Sequence, residues 1–163
     1  MKGLVNYPAS VSDKHITVCN DVNWMTLDSS VTHITVEGNC GNDVSLTVLD
    51  LSRFLYLKEL VVGDESFMYV KEVKLVGLHY LESVVIGMNS FTRKKNGADS
   101  GYSGSLYLKN CPKLKSLRMG RYAFSTYKVI GIENVDALEV IEMGACSFYY
   151  ASLELKSILI HNE

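Results

Sequence analysis

The 163-residue sequence is short of the features that define several protein classes. It has only two prolines, Pro8 and Pro112, and 12 glycines, which excludes collagen-like and proline-rich disordered chains. No apolar run approaches the roughly 18 residues of a membrane-spanning helix, and residues 1–8 contain no apolar stretch typical of a signal peptide. The net charge is -2, whereas general nucleic-acid and membrane binders carry a clear basic excess. We therefore expect neither nucleic-acid binding nor a membrane span.

Catalytic motifs are also missing. The sequence has no Walker loop, no H-E-x-x-H and no G-x-S-x-G. Its histidines are scattered without the spacing of metal ligands, and we predict that each is structural or on the surface: His15, His33, His79 and His161. We predict no catalytic residue, no cofactor and no metal, and hence no enzyme.

The four cysteines are irregularly spaced, with no C-x-x-C pair. The chain also has no Asn-x-Ser/Thr site for N-glycosylation. This pattern favours a reduced, cytoplasmic setting, although a cell-surface protein whose export signal lies outside this chain would look the same. Cys111 takes a slot that holds apolar residues elsewhere, which predicts a packed side chain. Cys146 takes a turn slot, and Cys19 and Cys40 have no assigned place.

A repeated pattern is the strongest signal in the sequence. Four segments align without gaps, beginning at Leu57, Leu81, Leu114 and Leu138, so that the steps are 24, 33 and 24 residues. Each reads Leu, two variable residues, apolar, one variable, apolar, Gly, two variable, small, Phe. Four of the five phenylalanines share one slot, namely Phe67, Phe91, Phe124 and Phe148. The glycines Gly63, Gly87, Gly120 and Gly144 are interpreted as turn positions.

Each unit also has a second half with apolar residues two apart, as in Val73-Lys-Leu75 and Ile130-Gly-Ile132. This spacing indicates a strand, so each unit of about 24 residues is predicted to form two short strands on two sides. A single unit cannot cover its own apolar side chains, which favours stacking of neighbouring units into one core.

The pattern resembles the leucine-rich repeat. Leu81 to Phe91 matches that signature with Asn89 in its asparagine slot, and Leu138 to Phe148 matches it with Cys146 there. The strong second strand is similar to microbial leucine-rich surface proteins, and also to coils of a parallel β-helix. The resemblance implies a mainly β, single-domain solenoid with two short parallel strands per coil and little helix.

The repeats divide the chain into parts. We predict one domain, 1–163, with an N-terminal cap at 1–30, repeats at 31–154, an inserted loop at 92–105 and a C-terminal cap or truncated repeat at 155–163. In the cap, Ile16–Val18 and Trp24–Leu27 are candidate strands, and Leu155 is aligned with the start of a unit. Exposed strand edges at either end would permit an edge-to-edge dimer.

Two surfaces are candidates for binding a protein partner. An outward row on the first strands is formed by Val61, Val85, Arg118 and Glu142. The polar, glycine-rich loop contributes Arg93, Lys94, Lys95 and Tyr102. The alternative for each is an ordinary solvated surface without a partner.

The sequence has a clear repeat and no catalytic motif. This combination favours a non-catalytic protein-interaction or scaffolding module. One alternative is a parallel β-helix enzyme acting on polysaccharide, which needs carboxylates on adjacent coils; the candidates are Asp50, Glu133 and Glu142. Another alternative is a fragment of a repeat surface adhesin.

Overall fold

A computed structural model describes residues 6–20, 22–92 and 103–156. Within these ranges the chain forms 11 β-strands and no helix, so none of the described residues belongs to a helix that could cross a membrane. The strands are His15–Val18 (β1), His33–Val36 (β2), Val48–Asp50 (β3), Glu59–Val62 (β4), Glu72–Val76 (β5), Ser83–Ile86 (β6), Gly104–Lys109 (β7), Ser116–Met119 (β8), Tyr127–Glu133 (β9), Val140–Met143 (β10) and Ser152–Lys156 (β11).

The strands form two open sheets in which every neighbouring pair is parallel. Sheet A has the order β1-β2-β4-β6-β8-β10, and sheet B has the order β11-β9-β7-β5-β3. From β2 onward the chain alternates between the two sheets, one strand in each. The prediction of a mainly β structure with parallel strands is confirmed.

The register of sheet A matches the alignment of the sequence segments. Leu60 pairs with Val84 and Val84 with Leu117, and all of these side chains are buried. In sheet B, Val73 pairs with Leu106 and Leu106 with Ile130, again buried. One apolar core therefore lies along both sheets, because each strand turns alternate residues inward.

The phenylalanines of the shared slot form a continuous column inside this core. Ring centroids are 5.0 Å apart between Phe67 and Phe91, 4.6 Å between Phe91 and Phe124, and 5.6 Å between Phe124 and Phe148. Trp24 extends the column beyond Phe67, at 5.8 Å. Each of the four phenylalanines has a φ between 54° and 58°, so the column is held on left-handed backbone that L-residues seldom adopt.

The glycines at the ends of the sheet A strands stand where the turns begin, and the Ala123 and Ser147 amides donate to the carbonyls of Gly120 and Gly144. They lack a left-handed φ; the left-handed residues of these turns lie two positions further on, including Glu65, Asn89 and Tyr122. A Cβ on Gly63 would lie 2.5 Å from the Gly38 nitrogen, and one on Gly87 would lie 2.5 Å from the Gly63 carbonyl carbon. Glycine is required here because neighbouring backbones approach too closely for any side chain.

Serines connect the same turns; Ser66 and Ser90 are buried and Ser147 is half-buried. The hydroxyls of Ser66, Ser90 and Ser147 donate to the carbonyls of Glu37, Gly63 and Gly120, at 3.0, 2.8 and 2.8 Å. Each carbonyl belongs to the neighbouring turn, so a buried polar group is satisfied and adjacent strands are joined at once. The small slot of the sequence pattern is thus a hydrogen-bonding slot, except at Ala123.

The two ends of the chain differ in part from the predictions. Ile16–Val18 lies in β1 and pairs in register with β2, as expected for a strand. Trp24–Leu27, predicted as a strand, is a turn in which the Thr26 and Leu27 amides donate to the Asn23 carbonyl. The polar Asn23 and Asp28 on either side favour local side-chain hydrogen bonds over sheet pairing.

The C-terminal alignment is also wrong. Leu155 lies in β11 of sheet B and pairs with Ile132, so it belongs to the second strand of a unit and not to the start of one. The error arose because Leu155-x-x-Ile158-x-Ile160 has the apolar spacing of the start of a unit, whereas Leu153-x-Leu155-x-x-Ile158 has that of the second half. Ile158 and Ile160 lie outside the described residues.

Candidate interaction surface

The predicted outward row on sheet A is formed by the register of its strands. Val61 pairs with Val85, Val85 with Arg118, and Arg118 with Glu142. Thr35 continues the row on β2, opposite Val61. Because the strands are parallel and in register, side chains that are 24, 26 or 33 positions apart in sequence become direct neighbours on one face.

The row has an apolar half and a charged half. Val61 and Val85 are half-buried, and together they form a small apolar strip. The Arg118 Nε donates to the Glu142 carboxylate at 2.9 Å, and both side chains are exposed. An exposed ion pair of this kind contributes only about 0–1 kcal/mol to stability, which leaves both groups available to a partner.

A border of alternating charge runs beside this row, at the beginning of the strands. The amide of Glu82 donates to the Lys58 carbonyl, that of Lys115 to the Glu82 carbonyl, and that of Glu139 to the Lys115 carbonyl. The four side chains therefore follow one another as positive, negative, positive, negative. Between this border and the strip lies an open surface depression, lined by residues such as Ser83 and Ser116. Sheet A thus presents apolar residues with a polar rim, a common form of protein interface.

Exposed apolar residues near β10 form a second surface that the sequence analysis missed. Ile141 and Met143 occupy inward slots, yet Met143 has 55% of its surface exposed, because β10 is an edge strand of sheet A. Tyr149 and Tyr150 follow Phe148, with exposed fractions of 65% and 46%. The two tyrosines directly follow the phenylalanine slot, where the other units have Met68-Tyr69, Thr92-Arg93 and Ser125-Thr126. This pair of aromatic residues was the signal present in the sequence.

The predicted loop residues Arg93, Lys94, Lys95 and Tyr102 lie outside the described residues, so their part in binding stays a prediction.

Sheet B presents a different outward row. Asp50 pairs with Lys74, Lys74 with Tyr107, and Tyr107 with Gly131. The Glu133 carboxylate lies 3.4 Å from the Lys109 ammonium. Each of the proposed enzyme carboxylates, Asp50, Glu133 and Glu142, therefore has a basic residue as its neighbour, and the register does not bring any two of them together.

The cysteines divide into a bonded pair and two free thiols. Cys19 and Cys40, which the sequence could not place, are joined in a disulfide across 21 positions. Cys111 is fully buried as predicted, and burial raises the pKa of its thiol to about 11. Cys146 is free and half-buried. The disulfide does not fit the reduced setting expected from the cysteine spacing, and location itself stays a prediction.

The histidines are less scattered than predicted. His15 and His33 pair across β1 and β2, and their rings stack with centroids 4.0 Å apart. Asp13 lies beside them, and the three offer ligand atoms within 4.8 Å of one another. The Lys58 ammonium, 2.7 Å from Asp13, holds the pKa of that carboxyl below its ordinary value. Sequence spacing gave no indication of this cluster, because 18 residues separate the two histidines.

The described surface therefore offers an apolar strip with a charged rim, an exposed aromatic pair and a group of possible metal ligands. The register of the described strands brings no two of Asp50, Glu133 and Glu142 together. Comparisons of the chain with protein-family models, with curated proteins and with solved structures gave no match.

Proposed function

We propose that this protein is a non-catalytic protein-interaction or scaffolding module built from stacked, leucine-rich-repeat-like coils. The alternation of the chain between two parallel sheets supports this architecture. So do the in-register rows of leucine, phenylalanine and glycine, because identical slots in successive units stack in a solenoid.

One observation carries the proposed binding role. Register places Val61 and Val85 side by side on the outward face of sheet A, with the Arg118–Glu142 pair continuing the row. A partner that fits this face would cover the strip with apolar side chains and place an acid beside Arg118 or a base beside Glu142. The flat sheet and the alternating border at Lys58 and Glu82 favour a protein surface over a small molecule.

A matched pair of double variants tests the proposal. Val61→Glu with Val85→Glu places two charges on the strip, whereas Val48→Glu with Val129→Glu places two charges on the same row of sheet B, where both valines are exposed. In a quantitative affinity capture from the native cell type, we expect the first variant to lose specific partners and the second to keep them. Equal retention by both variants would refute a role for the sheet A face.

The surface-adhesin alternative is favoured by the Cys19–Cys40 disulfide, since such bonds persist mainly in oxidising compartments. Rapid alkylation of the native protein in its cells, followed by mass spectrometry, measures the state of these cysteines. A disulfide in that sample supports a cell-surface location, and two alkylated thiols support a cytoplasmic one. No observation on the described residues favours the polysaccharide-active enzyme.

A further inference from the structure

The N-terminal edge of sheet A gathers three side chains that commonly ligate metal ions. His15 and His33 occupy the same register position on β1 and β2, so both project from the same face. Their rings are nearly parallel, with an interplanar angle of 16°. Asp13 precedes β1 by two residues and completes a group whose ligand atoms lie within 4.8 Å of one another. Small rotations of exposed side chains would bring such atoms to the distances of a single coordination sphere.

The ring of His33 is oriented by a buried threonine. Its Nδ1 lies 2.8 Å from the Oγ1 of Thr32, which is fully buried. That oxygen also accepts the Lys14 amide at 2.7 Å and lies 3.1 Å from the Lys14 carbonyl, so the threonine side chain is itself fixed. The contact holds the imidazole through Nδ1 and leaves Nε2 as the nitrogen that can face an ion. Metal-binding histidines are commonly oriented by a fixed partner on the other ring nitrogen.

The other two groups can adjust to an ion. His15 and Asp13 are exposed, so neither is fixed by packing. Asp13 binds the Lys58 ammonium through Oδ1 and keeps its second carboxylate oxygen. Lys58 is therefore a competitor for the same carboxylate, whereas Glu59, which pairs with His33 across β2 and β4, adds negative charge beside the group.

We propose that Asp13, His15 and His33 bind a late first-row divalent ion such as Zn²⁺ or Co²⁺. The ligands are Nε2 of His33, one ring nitrogen of His15 and a carboxylate oxygen of Asp13, a nitrogen-rich set that these ions prefer to Mg²⁺ or Ca²⁺. Three protein ligands leave further positions for water or for a side chain of another molecule. The site shares the outward face of sheet A with the Val61–Val85 strip and lines the same depression, but none of its three ligands belongs to the strip, so it does not depend on the proposed function.

Calorimetric titration of the full chain with Co²⁺ and with Zn²⁺ tests the site. Reductant is omitted so that the Cys19–Cys40 disulfide stays closed and its thiols cannot compete. We expect one site per chain, weakened at least about tenfold by His15→Ala or His33→Ala. His79→Phe is the control, because it removes an imidazole while keeping the ring that stacks on Tyr7 at 4.2 Å.

Two further variants separate ligation from a general structural effect. Thr32→Val removes the hydroxyl that orients His33 and should weaken binding about 10–100-fold, whereas Thr32→Ser keeps the hydroxyl and should bind as the wild type does. Lys58→Gln removes the competitor of Asp13 and should strengthen binding several-fold. If Thr32→Val fails to fold by circular dichroism, the Lys58 and His15 variants carry the test.

The cobalt spectrum identifies the ligands directly. Bands typical of nitrogen and oxygen ligands, without charge transfer from thiolate, are the expected result. Absence of saturable binding, binding that survives His15→Ala and His33→Ala unchanged, or a thiolate band from Cys146 would each overturn the proposal.

Discussion

A single methyl group at Gly87 is expected to disturb the packing of sheet A strand ends. The Cβ of an alanine there would lie 2.5 Å from the Asp64 nitrogen, 2.5 Å from the Gly63 carbonyl carbon and 2.6 Å from Asp64 Oδ1. Two of these atoms are backbone, and the Gly87 amide is tied to the Val62 carbonyl at 2.7 Å, so the neighbouring turns cannot part without loss of hydrogen bonds. The expected cost of Gly87→Ala is about 2–3 kcal/mol, the upper range for overpacking.

Gly38 is a control for this change. It follows β2 one position later than Gly87 follows β6, its Cβ would meet nothing closer than 3.5 Å, and its φ is not left-handed. Gly38→Ala should therefore be neutral, or stabilising by about 0.4–1 kcal/mol through the unfolded chain.

The assay is urea unfolding followed by circular dichroism, with thermal melting as a second measure. For a chain of this size the expected loss lowers the melting temperature of Gly87→Ala by about 5–10 °C relative to wild type. Equal stability of Gly87→Ala and Gly38→Ala would refute the reasoning, because only at Gly87 would the added methyl group overlap backbone atoms of the neighbouring turn.

Three further predictions concern single features. Cys19→Ala with Cys40→Ala should lower the free energy of unfolding by about 3 kcal/mol, since the disulfide closes a loop of 21 positions. Glu65→Asn should stabilise the protein by roughly 0.5–1 kcal/mol, because Glu65 has a φ of 56° and asparagine adopts that conformation more readily. The Lys14 ammonium and the Ser30 hydroxyl and amide hold the pKa of Asp28 well below its ordinary 3.8, so this carboxylate stabilises the fold above about pH 4 and its contribution is lost as the pH falls towards the folded value.

Each of these has its own check. Reductant should destabilise the wild type and leave the double cysteine variant unchanged; an equal effect on both would contradict the disulfide prediction. Glu37→Asn, at a position without left-handed φ, should not stabilise as Glu65→Asn does. Melting of Asp28→Asn should change less than that of wild type between about pH 5 and about pH 3, and parallel curves would rule out a contribution from Asp28.

The rows of sheet A and sheet B could be predicted because the sequence repeats its landmarks. Leu60, Val84 and Leu117 stand at a fixed distance before a glycine and a phenylalanine, so alignment of the segments is also alignment of the strands. The outward row at Val61 and Val85 follows from the same alternation. Successive side chains of a strand point to opposite faces of the sheet, so the face of each residue is known once the strand is known.

Features without a repeated landmark could not be predicted. Residues 1–30 lack both the glycine and the phenylalanine slots, so no alignment indicated that His15 would pair with His33 or that Cys19 would meet Cys40. The close backbone approach at the glycines could not be predicted for another reason. A turn and a close approach both favour glycine, and only the position of the neighbouring strand reveals the second, as at Gly87.

The registers of the two sheets also bear on how this chain can change in length. Glu59 and Ser83 pair at 24 positions apart, and Ser83 and Ser116 pair in the same register at 33. The rows of side chains and the backbone hydrogen bonds of the strands decide the pairing. The entropic cost of closing the connection rises only slowly as the connection becomes longer. The stretch between Phe91 and Gly104 is therefore a natural graft point, where a foreign peptide can be displayed while the rows on both faces keep their neighbours.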